Sequence, residues 1–176
     1  VPGSLSELIA ASVESYARSG AVVSEISDQF SRAQRDRYDL ILIQVGGNDI
    51  IKMRDLQTAD RELSTTLAMI TGKSDRVVLL TAGRIGKAPF FPRFVAPLFS
   101  HRSLVLRRLF IETAHAHNVL YVDLLGMADT FSADPDRYYA RDMLHLTGAG
   151  YGLWFERIIA DIRARWPELF SAPKSG

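Results

Sequence analysis

Three short, almost unbroken apolar runs punctuate the chain, at residues 39–46, 76–82 and 118–124. All three are rich in branched side chains, and the first two run into glycines, Gly46 and Gly83. Runs of this length without polar alternation suit strands covered on both faces, as in a parallel sheet flanked by helices. A weaker apolar run at residues 13–17 fits one more strand. Between the runs the apolar positions recur with helical period. Residues 56–70 set Leu63, Leu67 and Ile70 on one stripe, and residues 24–35 carry Ile26 and Phe30. Residues 100–115 offer Leu106, Leu109 and Phe110. A last helix is predicted from Thr147, with Trp154, Ile158 and Ile162 on one side, ending at Trp166 and Pro167. Strands alternating with helices predict one βαβ-type domain spanning 1–176.

Ligands of such sheets sit beyond the carboxyl ends of the strands. Three loops therefore matter: 46–50, 83–97 and 125–147. Composition narrows the chemistry. With 21 Lys+Arg against 20 Asp+Glu the formal charge is +1, which gives no electrostatic reason to expect a nucleic-acid or anionic-membrane partner. The absence of cysteine excludes disulfide scaffolds, Cys-ligated zinc, iron–sulfur clusters and a thiolate nucleophile. No apolar run approaches the roughly 18 residues of a membrane-spanning helix.

Gly46, Gly47, Asn48 and Asp49 leave the most apolar run. Glycines let the backbone turn sharply beside a ligand, and the Asn48 amide is a neutral donor able to stabilise an oxyanion. The same residues also suit a plain Asx turn. Asp142 precedes His145 by three positions, so its carboxylate can accept from Nδ1 and leave Nε2 as a base. A buried, hydrogen-bonded histidine with Asp142 as a cap is the structural alternative. The same pair has no third ligand at a suitable spacing, so no metal is expected. Gly20, after the weak run, reads as a tight turn whose amide is able to meet an anion. Phe90, Phe91 and Phe94 lie in a proline-bounded loop and suit either an apolar wall for an acyl chain or a cap on the core.

Taken in order, Ser19-Gly20, Gly46 to Asp49 and Asp142 to His145 resemble the glycine, Gly-x-Asn-Asp and Asp-x-x-His blocks of the SGNH (GDSL-type) hydrolases. The resemblance implies a flavodoxin-like three-layer α/β/α sandwich with a parallel sheet. It also implies cofactor-free hydrolysis of a small-molecule ester. By that analogy His145 is the base, Asp142 orients it, and Gly20 and Asn48 form the oxyanion hole. An O-acyltransferase or a non-catalytic binding module of the same fold remains an alternative. The family's Gly-Asp-Ser block, which ends its first, central strand and carries the nucleophile, does not occur in this chain. Ser4 is the nearest imitation, but it is too close to Gly20 to leave room for a helix, a connection and a strand. Losing a central strand would uncover apolar faces worth about 25 cal/mol per Å², comparable in sum to a domain's whole stability. The expectation is therefore a nucleophile strand encoded ahead of Val1, or another segment in its place.

Overall fold

A computed structural model of the chain describes residues 11–171; Ser4 and the helix expected at 4–10 lie outside them. The three apolar runs form three parallel strands, β1 (Ile41–Gln44), β2 (Val77–Leu80) and β3 (Leu120–Val122), in the order β1-β2-β3. Ile43 stands opposite Leu79, and Leu79 opposite Tyr121.

Among the described residues seven α-helices connect and flank them: α1 (Ile26–Phe30), α2 (Gly47–Ile51), α3 (Leu56–Ile70), α4 (Ala96–Ala116), α5 (Ala128–Ala133), α6 (Pro135–Tyr138) and α7 (Gly148–Arg165). The layers follow from the pleat, which sends successive side chains to opposite faces. Val77 and Leu79 join a core built with Leu63, Leu67, Leu106 and Phe110 of α3 and α4. Val78 and Leu80 join a second core, with Phe131, Trp154 and Ile162 of α5 and α7. All four residues of β2 are buried, as a strand covered on both faces requires.

The helix expected at 56–70 forms with those bounds, capped by Asp55, whose carboxylate accepts from the Thr58 amide at 2.8 Å. The last helix likewise starts after Thr147, whose hydroxyl accepts from Gly150 and donates to the Arg137 carbonyl. Other expectations shift. Helix α4 begins four residues earlier than the period suggested, because Pro97 is tolerated within a first turn. Helix α1 stops at Phe30 instead of continuing to Arg35. Residues 13–17 form no strand: they run irregularly along a cavity, with Val13 exposed, and no ladder pairs them among the described residues.

Candidate active site

The peptide leaving β1 turns through Gly46, whose φ of 101° suits glycine alone. A Cβ there would also stand 2.7 Å from Leu106. The chain then closes into α2, so Asn48 and Asp49 occupy a helical first turn where the sequence suggested an open loop. Asn48 Nδ2 donates to the Ala21 carbonyl at 3.0 Å. This bond spends one of its two hydrogens, fixes the amide orientation and leaves the second hydrogen free.

Two more links join α2 to the Gly20 turn. The Val23 amide donates to both Asp49 oxygens at 3.3 and 3.2 Å, and Lys52 Nζ donates to the Gly20 carbonyl at 2.8 Å. Gly20 itself has φ 76° and is exposed. Asp49 is fully buried and bonded by Arg54 Nη1 at 2.7 Å, while Arg54 Nη2 reaches Glu62 at 3.0 Å. From α4, Arg102 donates to the Asp49, Ile50 and Arg54 carbonyls. Asp49 thus binds the Asn48 helix and the Gly20 turn into one unit. Its sequence signal was ambiguous, because the Val23 amide it binds lies 26 residues away and Asp beside Asn reads as an Asx turn.

Asp142 and His145 sit on the loop between α6 and α7. An antiparallel bridge between Tyr139 and Leu146, and an Ala140 amide bond to the His145 carbonyl at 2.7 Å, close the loop's base. Asp142 bonds both the loop amides and the imidazole, and His145 is exposed where the structural alternative expected it buried. Oδ1 accepts from the Leu144 and His145 amides, while Oδ2 meets His145 Nδ1 at 2.5 Å. The His145 ring bond first, then its amide and that of Leu144, hold the Asp142 carboxyl down at about 2, from an ordinary 3.8. Both side chains are exposed, and His145 Nε2 makes no hydrogen bond among the described residues.

One open cavity of about 1280 Å³ has Gly20, Asn48 and His145 in its lining. Its walls at this end are apolar, from Ile51, Ala82, Phe131, Leu144, Leu146 and Trp154. The cavity continues along β1, opposite residues 11–19. The three phenylalanines of the 83–97 loop do not line it. Phe91 is buried against Phe99 with ring centroids 4.3 Å apart, and Phe94 is 84% exposed. Phe90 is half-exposed, and its amide bonds the Met143 carbonyl at 3.0 Å, so the aromatic loop braces the Asp142 loop from behind. The apolar wall comes instead from residues spread over five loops and helices, which no local pattern announces. Among the described residues no group of three or more acidic or histidine side chains is placed to hold a metal ion, and no helix is long and apolar enough to cross a membrane.

The sequence matches the model of the GDSL-like lipase/acylhydrolase family over residues 1–153. No curated protein matches it in sequence. Among solved structures, a lipase/acylhydrolase from Enterococcus faecalis superposes with a TM-score of 0.59 at 23% identity, over 83% of this chain and 72% of its own. The acetylxylan esterase Axe2 from Geobacillus stearothermophilus gives 0.62 at 19% identity, over 82% and 68%. Phospholipase A1 from Streptomyces albidoflavus gives 0.61 at 18% identity, over 81% and 77%. At such identities the likeness speaks to the fold, a parallel sheet with helices on both sides.

Proposed function

The chain belongs to the GDSL-like lipase/acylhydrolase family, and from that premise we propose that it is a serine ester hydrolase working through an acyl-enzyme. The observation that carries the reading is the shared cavity: Asn48, the Gly20 turn and the Asp142-braced His145 all line it.

In this reading a serine hydroxyl attacks the ester carbonyl carbon, and His145 Nε2 accepts its proton. The carbonyl electron pair moves onto oxygen, where the Gly20 amide and the free Asn48 Nδ2 hydrogen receive it. Collapse expels the alcohol, which takes the proton from His145. Water then repeats the sequence and releases the acid. Asp142 keeps the imidazole in the tautomer that presents Nε2 and balances the imidazolium that forms. Because Ala21 and Asp49 hold Asn48 before any substrate binds, that donor needs no reorganisation in the transition state.

Asn48→Ala tests the assignment. Loss of one oxyanion donor lowers kcat by about 10²–10³ with little change in KM. Turnover of a p-nitrophenyl ester by this variant at the parent rate removes Asn48 from the mechanism. A second reading, a non-catalytic binding module, is favoured by one observation: the chain contains no Gly-Asp-Ser block. Labelling of the full-length product by a fluorophosphonate probe, abolished in His145→Ala, decides for the enzyme; absence of labelling in that product decides for the module.

A further inference from the structure

A second pocket, of about 560 Å³, opens beside the first. Its lining includes Arg84, Lys87, Arg93 and His101, with Ser100 and Leu104, and contains no carboxylate. Lys87 has a partner at 2.9 Å, Asp129, whose side chain is exposed and outside the lining. Arg84, Arg93 and His101 make no ion pair among the described residues. Three basic side chains, Arg84, Lys87 and Arg93, thus gather in one pocket of a chain whose overall balance is +1.

Arg84 joins the two spaces. It follows the end of β2 by way of Ala82 and Gly83, and it lines both the cavity of Asn48 and His145 and the cationic pocket. Its Nε is buried without an acceptor. A buried charged donor left unmet is costly, and no internal bond competes with an entering anion for it. The pocket wall is firm on the other side. The turn at Ile85–Lys87 packs against the start of α4 so closely that a Cβ on Gly86 would lie 2.1 Å from the Ala96 carbonyl. That helix start has no acidic residue in its first turn and no side-chain cap.

We infer that this pocket is a subsite for a phosphate or carboxylate group carried by the ester substrate, with Arg84 receiving the anion while the acyl carbon lies between Asn48 and His145. The inference rests on the hydrolase reading above and adds the substrate class, an anionic ester. Guanidinium groups suit this task because their fork of donors matches the oxygens of either anion.

Binding tests it without turnover. Calorimetry on the full chain would use octyl phosphate below its micelle concentration, octanol and inorganic phosphate. Octyl phosphate is expected to bind at least about tenfold more tightly than either of the others. Arg84→Gln and the exposed Arg93→Gln should each weaken octyl phosphate roughly ten- to hundredfold and leave octanol unchanged. His145→Ala should alter neither, so a failed esterase reading shows as a parent without turnover that still gives this binding pattern. The parent's melting temperature in both arginine variants establishes that they fold. Equal binding of octyl phosphate and octanol overturns the inference, as does undiminished binding in both variants. Inorganic phosphate binding as tightly as octyl phosphate also overturns it, since the anion site would then be unconnected to the acyl cavity. So does attachment only to phosphatidylglycerol vesicles, which would be attraction to a lipid surface.

Discussion

Replacing Arg54 by alanine tests whether the carboxylate inside the Asn48 helix depends on a paired charge. Asp49 is fully buried, and its oxygens meet the Val23 amide and Arg54 Nη1, the latter at 2.7 Å. The other bond of Arg54, to Glu62, joins two partly exposed groups, a class of pair worth about 0–1 kcal/mol. The main loss is therefore the stranded Asp49 charge, and removing one partner of a buried pair typically costs about 3–5 kcal/mol. A chain of 176 residues loses about 2–4 °C of melting temperature per kcal/mol, which places Arg54→Ala roughly 6–20 °C below the parent. In an Asp49→Asn background no charge remains to be stranded, and the same substitution should cost only about 1 kcal/mol. Thermal unfolding followed by circular dichroism on the four proteins of this cycle measures the difference. Equal costs in the two backgrounds would refute the argument.

Three further outcomes are expected. The Asp142 carboxyl, held at about 2 by its bond to His145 and the loop amides, keeps its charge and that pairing above the ordinary value near 3.8; both are lost as pH falls through about 2. Carboxyl carbon shifts followed by NMR should therefore give a midpoint near 2 that climbs toward 3.8 in His145→Ala; a midpoint that ignores His145 contradicts the bond. Gly86→Ala would drive a Cβ into backbone atoms at 2.1 and 2.4 Å, so it should cost about 1–3 kcal/mol or more in a thermal melt, and an unchanged melting temperature would contradict that packing. Thr147→Ala removes the cap of α7 and should lower stability by about 1 kcal/mol, read from the shift of a urea midpoint at constant slope.

The parts of the fold legible in the sequence were those governed by neighbours along the chain. The helix at Leu56–Ile70 carries its burial stripe at helical spacing and its own Asp55 cap, so local rules set its extent and its start. The strands were legible by apolar content, though each is shorter than its run because ladder pairing is set by the adjacent strand. Residues 13–17 show the converse: apolar content without a pairing neighbour among the described residues yields no strand. At the site, Asp142 and His145 met because they are three positions apart. The Asp49, Arg54, Glu62 and Arg102 network was hidden, since its pairs follow neither the helix nor the strand period and Arg102 reaches backbone carbonyls from a distant helix. Phe90, Phe91 and Phe94 left two readings open for a related reason: aromatic content says that a surface is wanted, and tertiary packing decides which one, with Phe91 going to the core.

The alternation within β2 ties the two halves of the molecule to a common fate. Val77 and Leu79 belong to one layer, Val78 and Leu80 to the other, and no residue of the strand is solvated. Neither layer can loosen alone without dragging the middle strand out of register. Its amide hydrogens should thus exchange with deuterated solvent only when the entire molecule opens, making those four sites an internal gauge of global stability.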